Sequence, residues 1–335
     1  MPDLLLIVVL LAAIGFDFTN GFHDTANSIA TSISTRALSP RQAVLVAAVL
    51  NLAGAIVTVA FFQAKVSNTI AKLVSGKPGL VLLLAALLGA ITWNLITWYF
   101  GLPSSSTHAI VGGLAGAAAA GAGGFHGIHW GEFWKVVVSL VTSPPVGFLA
   151  AAIFTSALLA IIYRMHPGPL NRGFRRFQIL TSMFLSYSHG ANDAQKTMAV
   201  MTMALIASGH LSKFKVPIWV VVVSGVTIGF GTYAGGWRII RTLGWRIFKL
   251  DPASGMSAQL VGAAVIQVAT QFGLPVSTTH VITGSVMGTG AARRLSELRW
   301  TVGANIISAW IFTIPAAGVT AWILYAIMTT AGLHA

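Results

Sequence analysis

The sequence predicts an all-α polytopic membrane protein made of two inverted repeats of about five spans each, with broken or re-entrant helices at the midplane. Two observations carry that expectation. Of the 335 residues, 56% are hydrophobic and only 8% charged, against roughly 25% charged in soluble domains. Apolar runs of about 20 residues, enough to cross ~30 Å of hydrocarbon, recur along the whole length, and no soluble domain is left over. The second observation is an internal duplication. Asn20-Gly-Phe-His-Asp-Thr-Ala-Asn-Ser28 superposes on His189-Gly-Ala-Asn-Asp-Ala-Gln-Lys-Thr197 at an offset of 169. Gly101-Leu-Pro-Ser-Ser-Ser-Thr-His-Ala-Ile-Val-Gly-Gly-Leu-Ala-Gly116 matches Gly273 to Gly288 at an offset of 172, identical at nine of sixteen positions. Ser139 with Pro144-Pro145 resembles Ser308 with Pro315. The chain therefore divides into a first repeat, 1–165, a basic cytoplasmic linker, 166–176, and a second repeat, 177–335.

Taken in order, the first repeat opens with a long segment, Leu4 to Thr35, expected to break around Asn20-Gly21. It follows Asp3 and has no basic leader, so it reads as a retained helix, not a cleaved signal. Helices are expected at Pro40 to Phe62 and Gly79 to Phe100, then a Pro103 break, a Gly- and Ala-rich segment from Ser105 to Gly121, and a stretch from Gly131 to Met165 interrupted at Pro144-Pro145. The second repeat follows suit with Phe174 to Ala207, Val216 to Tyr233, Ser254 to Phe272, Ser277 to Gly290 and Leu298 to Met328. An odd number of crossings per repeat makes the repeats inverted. Trp237 to Leu250, basic and aromatic, reads as an amphipathic helix on the cytoplasmic surface.

The net charge of +13 reflects topology and not a nucleic-acid partner, because the basic residues cluster between apolar runs. With both termini outside, the inside loops hold Arg36, Arg41, Arg164, Arg172, Arg175, Arg176, Arg238, Arg241, Arg246, Lys249, Arg293, Arg294 and Arg299. The outside loops hold only Lys65, Lys72, Lys77, Lys135, Lys213 and Lys215. With no Cys there is no disulfide framework and no thiolate metal site; whether any other metal site exists is left open.

Of seven acidic residues, Asp17, Asp24 and Asp193 lie in apolar surroundings, where a carboxylate is costly and defaults to a functional reading. Asp24 and Asp193 are repeat mates; Asp17 aligns with Ser186 and reads as structural or as part of an access path. Each Gly-Leu-Pro-x-Ser-x-Thr-His stretch has the makings of a half-helix start: Pro sets the first turn, and Ser105, Ser106 and Thr107, or Ser277, Thr278 and Thr279, can cap free N–H groups. Two such ends brought together would cage a tetrahedral oxyanion. Carboxylates at Asp24 and Asp193 would favour an anion that still carries protons, phosphate over sulfate. Symmetry fails at Asn27, whose mate is Lys196, a fixed ammonium beside Asp193 that would fill the role of a bound sodium ion. His108 and His280 suit roles as ligands, proton carriers or packing donors, with packing the favoured reading; Met198, Met201 and Met203 read as core, and His23 and His189 carry no assigned role.

The paired motifs at 20–27 and 189–196, with both Gly-Leu-Pro-x-Ser-x-Thr-His segments, resemble the inorganic phosphate transporter (Pit) family over nearly the whole chain. The resemblance implies symport of inorganic phosphate, with arsenate as an analogue, across the plasma membrane. Sodium-coupled members carry Asn-Asp-Val-Ala-Asn in both copies; here Gln195 and Lys196 stand in the second, as in the bacterial low-affinity branch, held to be proton-driven and to accept neutral metal–phosphate complexes. The expectation is a non-enzymatic transporter in the lipid bilayer, without a resident cofactor, working by alternating access, with homodimerisation plausible. Substrate would be held by Ser105, Ser106, Thr107, Ser277, Thr278, Thr279, Asn192 and Lys196, and the coupling cation, proton or sodium, by Asp24, Asp193 and Asn27. Rival readings are a sulfate permease on the same scaffold, a sodium-coupled phosphate symporter, a passive anion channel, and a hydrolase using Ser105 or Ser106 with His108. The duplicated Ser-x-Thr-His unit and the lack of a Gly-x-Ser-x-Gly elbow weigh against the hydrolase.

Overall fold

The computed structural model describes residues 2–333 apart from Phe248; among these the regular structure is helical, with one isolated bridge between Val74 and Ile128. The helices are α1 (Pro2–Ser34), α2 (Pro40–Phe62), α3 (Lys65–Ala71), α4 (Leu80–Phe100), α5 (Ser106–Gly121) and α6 (Trp130–Ile162), then α7 (Pro167–Ala207), α8 (Ile218–Ala234), α9 (Trp237–Arg241), α10 (Pro252–Gln271), α11 (Thr278–Arg293) and α12 (Trp300–Thr330). A π-helical turn, Thr242–Arg246, continues α9. Six helices, α1, α2, α4, α6, α10 and α12, are long and apolar enough to cross a membrane, and α8 with α9 and its π turn, bent by 61°, makes a seventh. The 41-residue α7 escapes that criterion because it carries a basic start and the polar run Ser186 to Thr197. At 16 residues each, α5 and α11 are only about 24 Å long and return part-way after α4 and α10.

The first six helices map onto the last six. α1 packs on α8 as α7 packs on α2, α5 on α12 as α11 on α6, and α4 on α5 as α10 on α11. Mates run antiparallel, as inversion requires. Thr35 Oγ1 donates to Gln178 Oε1 at 2.7 Å and Ser182 Oγ to the Ser28 carbonyl at 3.3 Å, so the end of α1 meets the start of α7. Likewise Leu52 of α2 faces Gly225 of α8 while Ala48 faces Gly229. The close crossings fall at paired glycines: Gly21 against Ile228 and Gly190 against Asn51, Gly112 against Ile314 and Gly284 against Pro144, Gly116 against Gly318 and Gly288 against Phe148. At each of them a Cβ would lie 2.0 to 2.5 Å from a backbone oxygen. Packing of this kind lets helices associate where lipid removes the hydrophobic drive.

Two breaks expected from the sequence are absent. α1 runs unbroken through Asn20-Gly21, because Gly21 serves the crossing with α8 and not a bend. Pro144 and Pro145 lie inside α6, and Pro315 inside α12; Ser143 Oγ donates to the Leu140 carbonyl (3.2 Å) that Pro144 cannot serve. The stretch 166–176 is the cap and first turns of α7, which starts at Pro167 and not at Phe174. α9 and the π turn bury Ile239, Ile240 and Leu243 against α1 instead of lying flat on a surface, while Phe248, within the expected amphipathic stretch, lies outside the described residues. α3 falls where a loop was expected. Gln195 makes it possible: its Oε1 accepts the N–H groups of Val66 (3.0 Å) and Ser67 (3.3 Å) at the helix start, and Ser67 Oγ donates to the Gln195 carbonyl at 2.7 Å.

The elbows after α4 and α10 are fastened crosswise. Gly101 and Gly273 take left-handed backbone (φ 66° and 69°). Thr242 Oγ1 donates to the Gly101 carbonyl (3.0 Å) and Thr69 Oγ1 to the Gly273 carbonyl (2.7 Å). Arg238 donates to the Tyr99 carbonyl, and Lys65 Nζ to the Gln271 carbonyl at 3.1 Å. Gly288→Val forces its helix away from Phe148 and is expected to destabilise by about 1–3 kcal/mol, seen as a lower apparent melting temperature in detergent. Gly173→Ala, with open space around it, should melt no lower than wild type; equal melting of both variants would count against the packing described.

Candidate functional site

The site is where α5 and α11 begin. Each start is pinned before it is capped: Trp310 Nε1 donates to the Pro103 carbonyl and Ser139 Oγ to the Pro275 carbonyl, both at 3.0 Å. Ser105 and Ser277 then act as N-caps in extended backbone, their hydroxyls accepting from His108 N (3.1 Å) and His280 N (3.2 Å). Thr107 Oγ1 donates across to the Val276 carbonyl at 3.0 Å, tying the two hairpins together. The imidazoles of His108 and His280 lie tilted against each other with centroids 4.4 Å apart, and His280 stacks on Trp310 at 3.7 Å.

Against these helix starts lie the polar stripes of α1 and α7. Asp17, Asn20, Asp24 and Asn27 are spaced three, four and three residues apart, as are Ser186, His189, Asp193 and Lys196, so each set follows one helix face. Asp24 Oδ1 lies 2.7 Å from His23 Nδ1 and accepts from Thr279 Oγ1 (3.2 Å); Oδ2 accepts from Ser106 Oγ (2.8 Å). Asp193 Oδ2 lies 2.8 Å from Lys196 Nζ and 3.3 Å from His189 Nε2, and accepts from Thr278 Oγ1 at 3.4 Å. Lys196 Nζ also donates to Ser106 Oγ (3.1 Å), so one hydroxyl joins the Lys196–Asp193 pair to Asp24. Asn27 Nδ2 donates to Thr279 Oγ1 at 2.8 Å and Thr278 Oγ1 at 3.3 Å. No member of this cluster is more than 2% exposed.

Ser106, Thr278, Thr279, Lys196, Asp24, Asp193 and Asn27 thus come together as the sequence suggests, in one sealed cluster drawn from both repeats. Four others of the expected set make their hydrogen bonds elsewhere. Ser105 and Ser277 are committed as caps and Thr107 to Val276, while Asn192 donates to Thr270 Oγ1 (2.8 Å) and the Leu274 carbonyl (3.3 Å), bracing the α10–α11 elbow. Sequence reasoning gave no role to His23 and His189, though both sit inside the motifs. His23 Nε2 meets Thr97 Oγ1 (3.2 Å) and Ser104 Oγ (3.3 Å), and His189 Nδ1 meets Asn51 Oδ1 (2.8 Å), which turns its Nε2 toward Asp193. Ligand atoms of Asp24, His189 and Asp193 all lie within 4.8 Å of one another, close enough to share a cation. A cluster of two carboxylates, one ammonium, three donating hydroxyls and two helix N-termini can hold an oxyanion together with a positive charge.

The sequence profile of the phosphate transporter family matches residues 20–321. The chain is 45% identical over 326 residues, 97% of each chain, to the "Probable low-affinity inorganic phosphate transporter" of Bacillus subtilis. It is 44% identical to the protein of the same name from Rhizobium meliloti, covering 96% of both. Among solved structures it superposes on "The sodium-dependent phosphate transporter" with a TM-score of 0.86 and 28% identity, covering 97% of this chain and 99% of that one.

Lys196→Met strands the Asp193 carboxylate and is expected to destabilise by about 3–5 kcal/mol, read as thermal unfolding in detergent. Lys196→Met combined with Asp193→Asn removes both charges and should regain most of that loss. A double variant as unstable as the single would contradict the pairing.

Proposed function

The chain belongs to the phosphate transporter family, a multi-pass membrane protein and not an enzyme, and on that premise we propose that it imports inorganic phosphate by proton symport through alternating access. The observation that carries this reading is the convergence of two helix N-termini and their hydroxyls on Asp24, Asp193 and Lys196. Ser106, Thr278 and Thr279 now donate to the two carboxylates. With phosphate between them, those hydroxyls would turn to its oxygens, and the carboxylates would accept the protons that phosphate carries at neutral pH. Sulfate has no proton to offer and would set its oxygens against two carboxylates. Arsenate has the shape and protons of phosphate and would pass. Ser105, Ser277, Thr107 and Asn192 would act by holding the hairpins.

Charge supports coupling to a cation. Two carboxylates and one ammonium leave the cluster net negative, and an added anion deepens that imbalance in a medium that screens poorly. Cations must therefore enter with the substrate. Lys196 stands where the first repeat has Asn27 and supplies a permanent positive charge 2.8 Å from Asp193; in our reading it replaces a sodium ion, leaving the proton as the driving species. Both termini would face outside, and each charge carried inward would gain about 2.3 kcal/mol per 100 mV. One observation favours a second form of cargo: Asp24, His189 and Asp193 would seat the divalent ion of a neutral metal–phosphate complex, an imidazole among oxygens suiting zinc-like ions.

Radiolabelled phosphate should enter proteoliposomes under an inward proton gradient without sodium, and excess sulfate should leave that uptake intact. Uptake that needs sodium, or that sulfate suppresses, would defeat the reading. Lys196→Asn, which restores the symmetry with Asn27, should make transport sodium-dependent, and sodium should raise the melting temperature of that variant; a variant indifferent to sodium would remove the tethered-cation argument.

A further inference from the structure

We propose that Asp17 is the carboxyl that carries the coupling proton, at a place distinct from the phosphate cluster; this rests on the transport reading above. Asp17 lies two turns before Asp24 on the same face of α1 and is fully buried. Asp24 is held by two hydroxyl donors and His23, and one oxygen of Asp193 by Thr278 and Lys196, whereas neither carboxylate oxygen of Asp17 has a hydrogen-bond partner. The side chains beside it are Asn20 and Thr197. Asn94 of α4 lies one turn before Thr97, the partner of His23, which puts it near the level of Asn20. Both polar atoms of Asn20 and Asn94, and the hydroxyl of Thr197, are likewise buried without partners. Asp17 is thus one of several buried polar side chains in this part of the bundle whose polar atoms lack partners, with Asn20 and Thr197 beside it.

An ionised carboxylate in such a place has no charge paired with it and is disfavoured by burial. The charged groups facing it are Lys196 and Asp193, both on α7 and already paired at 2.8 Å. α4 and α8, packed along α1, bring no charged residue, and His23, on α1 itself, is turned to Asp24. A proton on Asp17 removes that uncompensated charge. The amide and hydroxyl beside it carry no charge: they can hydrogen-bond either form but cannot neutralise a carboxylate. The second repeat has no equivalent, because Ser186 in the matching place spends its hydroxyl on the Ser182 carbonyl at 2.8 Å.

Lys196 gives the proton its influence on the substrate. While Asp17 is neutral, the ammonium is committed to Asp193 and Ser106, both in the phosphate cluster. When the carboxyl O–H bond breaks and the proton leaves to inside water, the new carboxylate competes for Lys196 and loosens that commitment. Uptake of a proton from outside water reverses the change. No electron moves, and each cycle transfers the proton from one side to the other.

The test uses wild-type, Asp17→Asn and Asp17→Glu proteins in proteoliposomes, with three readouts: phosphate exchange without a gradient, accumulation driven by a proton gradient, and proton entry reported by a trapped pH dye. Asp17→Asn should keep exchange but lose both accumulation and the proton signal, and Asp17→Glu should recover both. Accumulation with a proton signal in Asp17→Asn would overturn the proposal. So would loss of exchange in both variants, the mark of a structural role, or loss of a sodium stimulation with the proton signal intact, the mark of a sodium site. Absence of exchange in the wild type would instead overturn the transport reading beneath it.

Discussion

A charged group at membrane depth must find its opposite there, and in this bundle Lys196 is the group on which that requirement turns. Its ammonium reaches Asp193 on its own helix and Ser106 at the start of α5, and Ser106 passes the connection to Asp24 on α1. Three elements are thereby held in one register by a chain of polar contacts that lipid cannot replace. The antiparallel meeting of α1 with α7, and the placing of two helix starts mid-bundle, follow from having to bury this chain intact.

The duplication is preserved in the scaffold and broken in the chemistry. Caps, elbow glycines, crossing glycines and pinned proline carbonyls occur in matched pairs. Along the polar stripes, by contrast, Asp17 aligns with Ser186, Asn20 with His189 and Asn27 with Lys196, and only Asp24 and Asp193 agree. The two halves thus share one frame, while their polar stripes carry different side chains.

What could be read from the sequence was local or repeated. The capped starts of α5 and α11 follow from Pro, Ser and Thr within a few residues, and repetition made them unmistakable. What could not be read depended on a partner far along the chain. Gly21 looks like a break until Ile228 is seen against it, Pro144 likewise until Ser143 is seen serving Leu140, and α3 looks like a loop until Gln195 caps it. Asn192 belongs to the motif by sequence, yet its amide is turned to the elbow before α11. Asp17 reads from the sequence as structural or as part of an access path, because sequence cannot show whether a carboxylate has partners; that takes the full surroundings of a buried atom.

The crosswise fastening of the elbows bears on ancestry. The carbonyls of Gly101 and Tyr99 are served by Thr242 and Arg238, and those of Gly273 and Gln271 by Thr69 and Lys65, so each half of the chain completes the other. A forebear of half this length could not have closed its own elbow. It could have built this architecture only by inserting into the membrane in both orientations and pairing with its own upside-down copy, and gene fusion would then have frozen one of each into a single polypeptide.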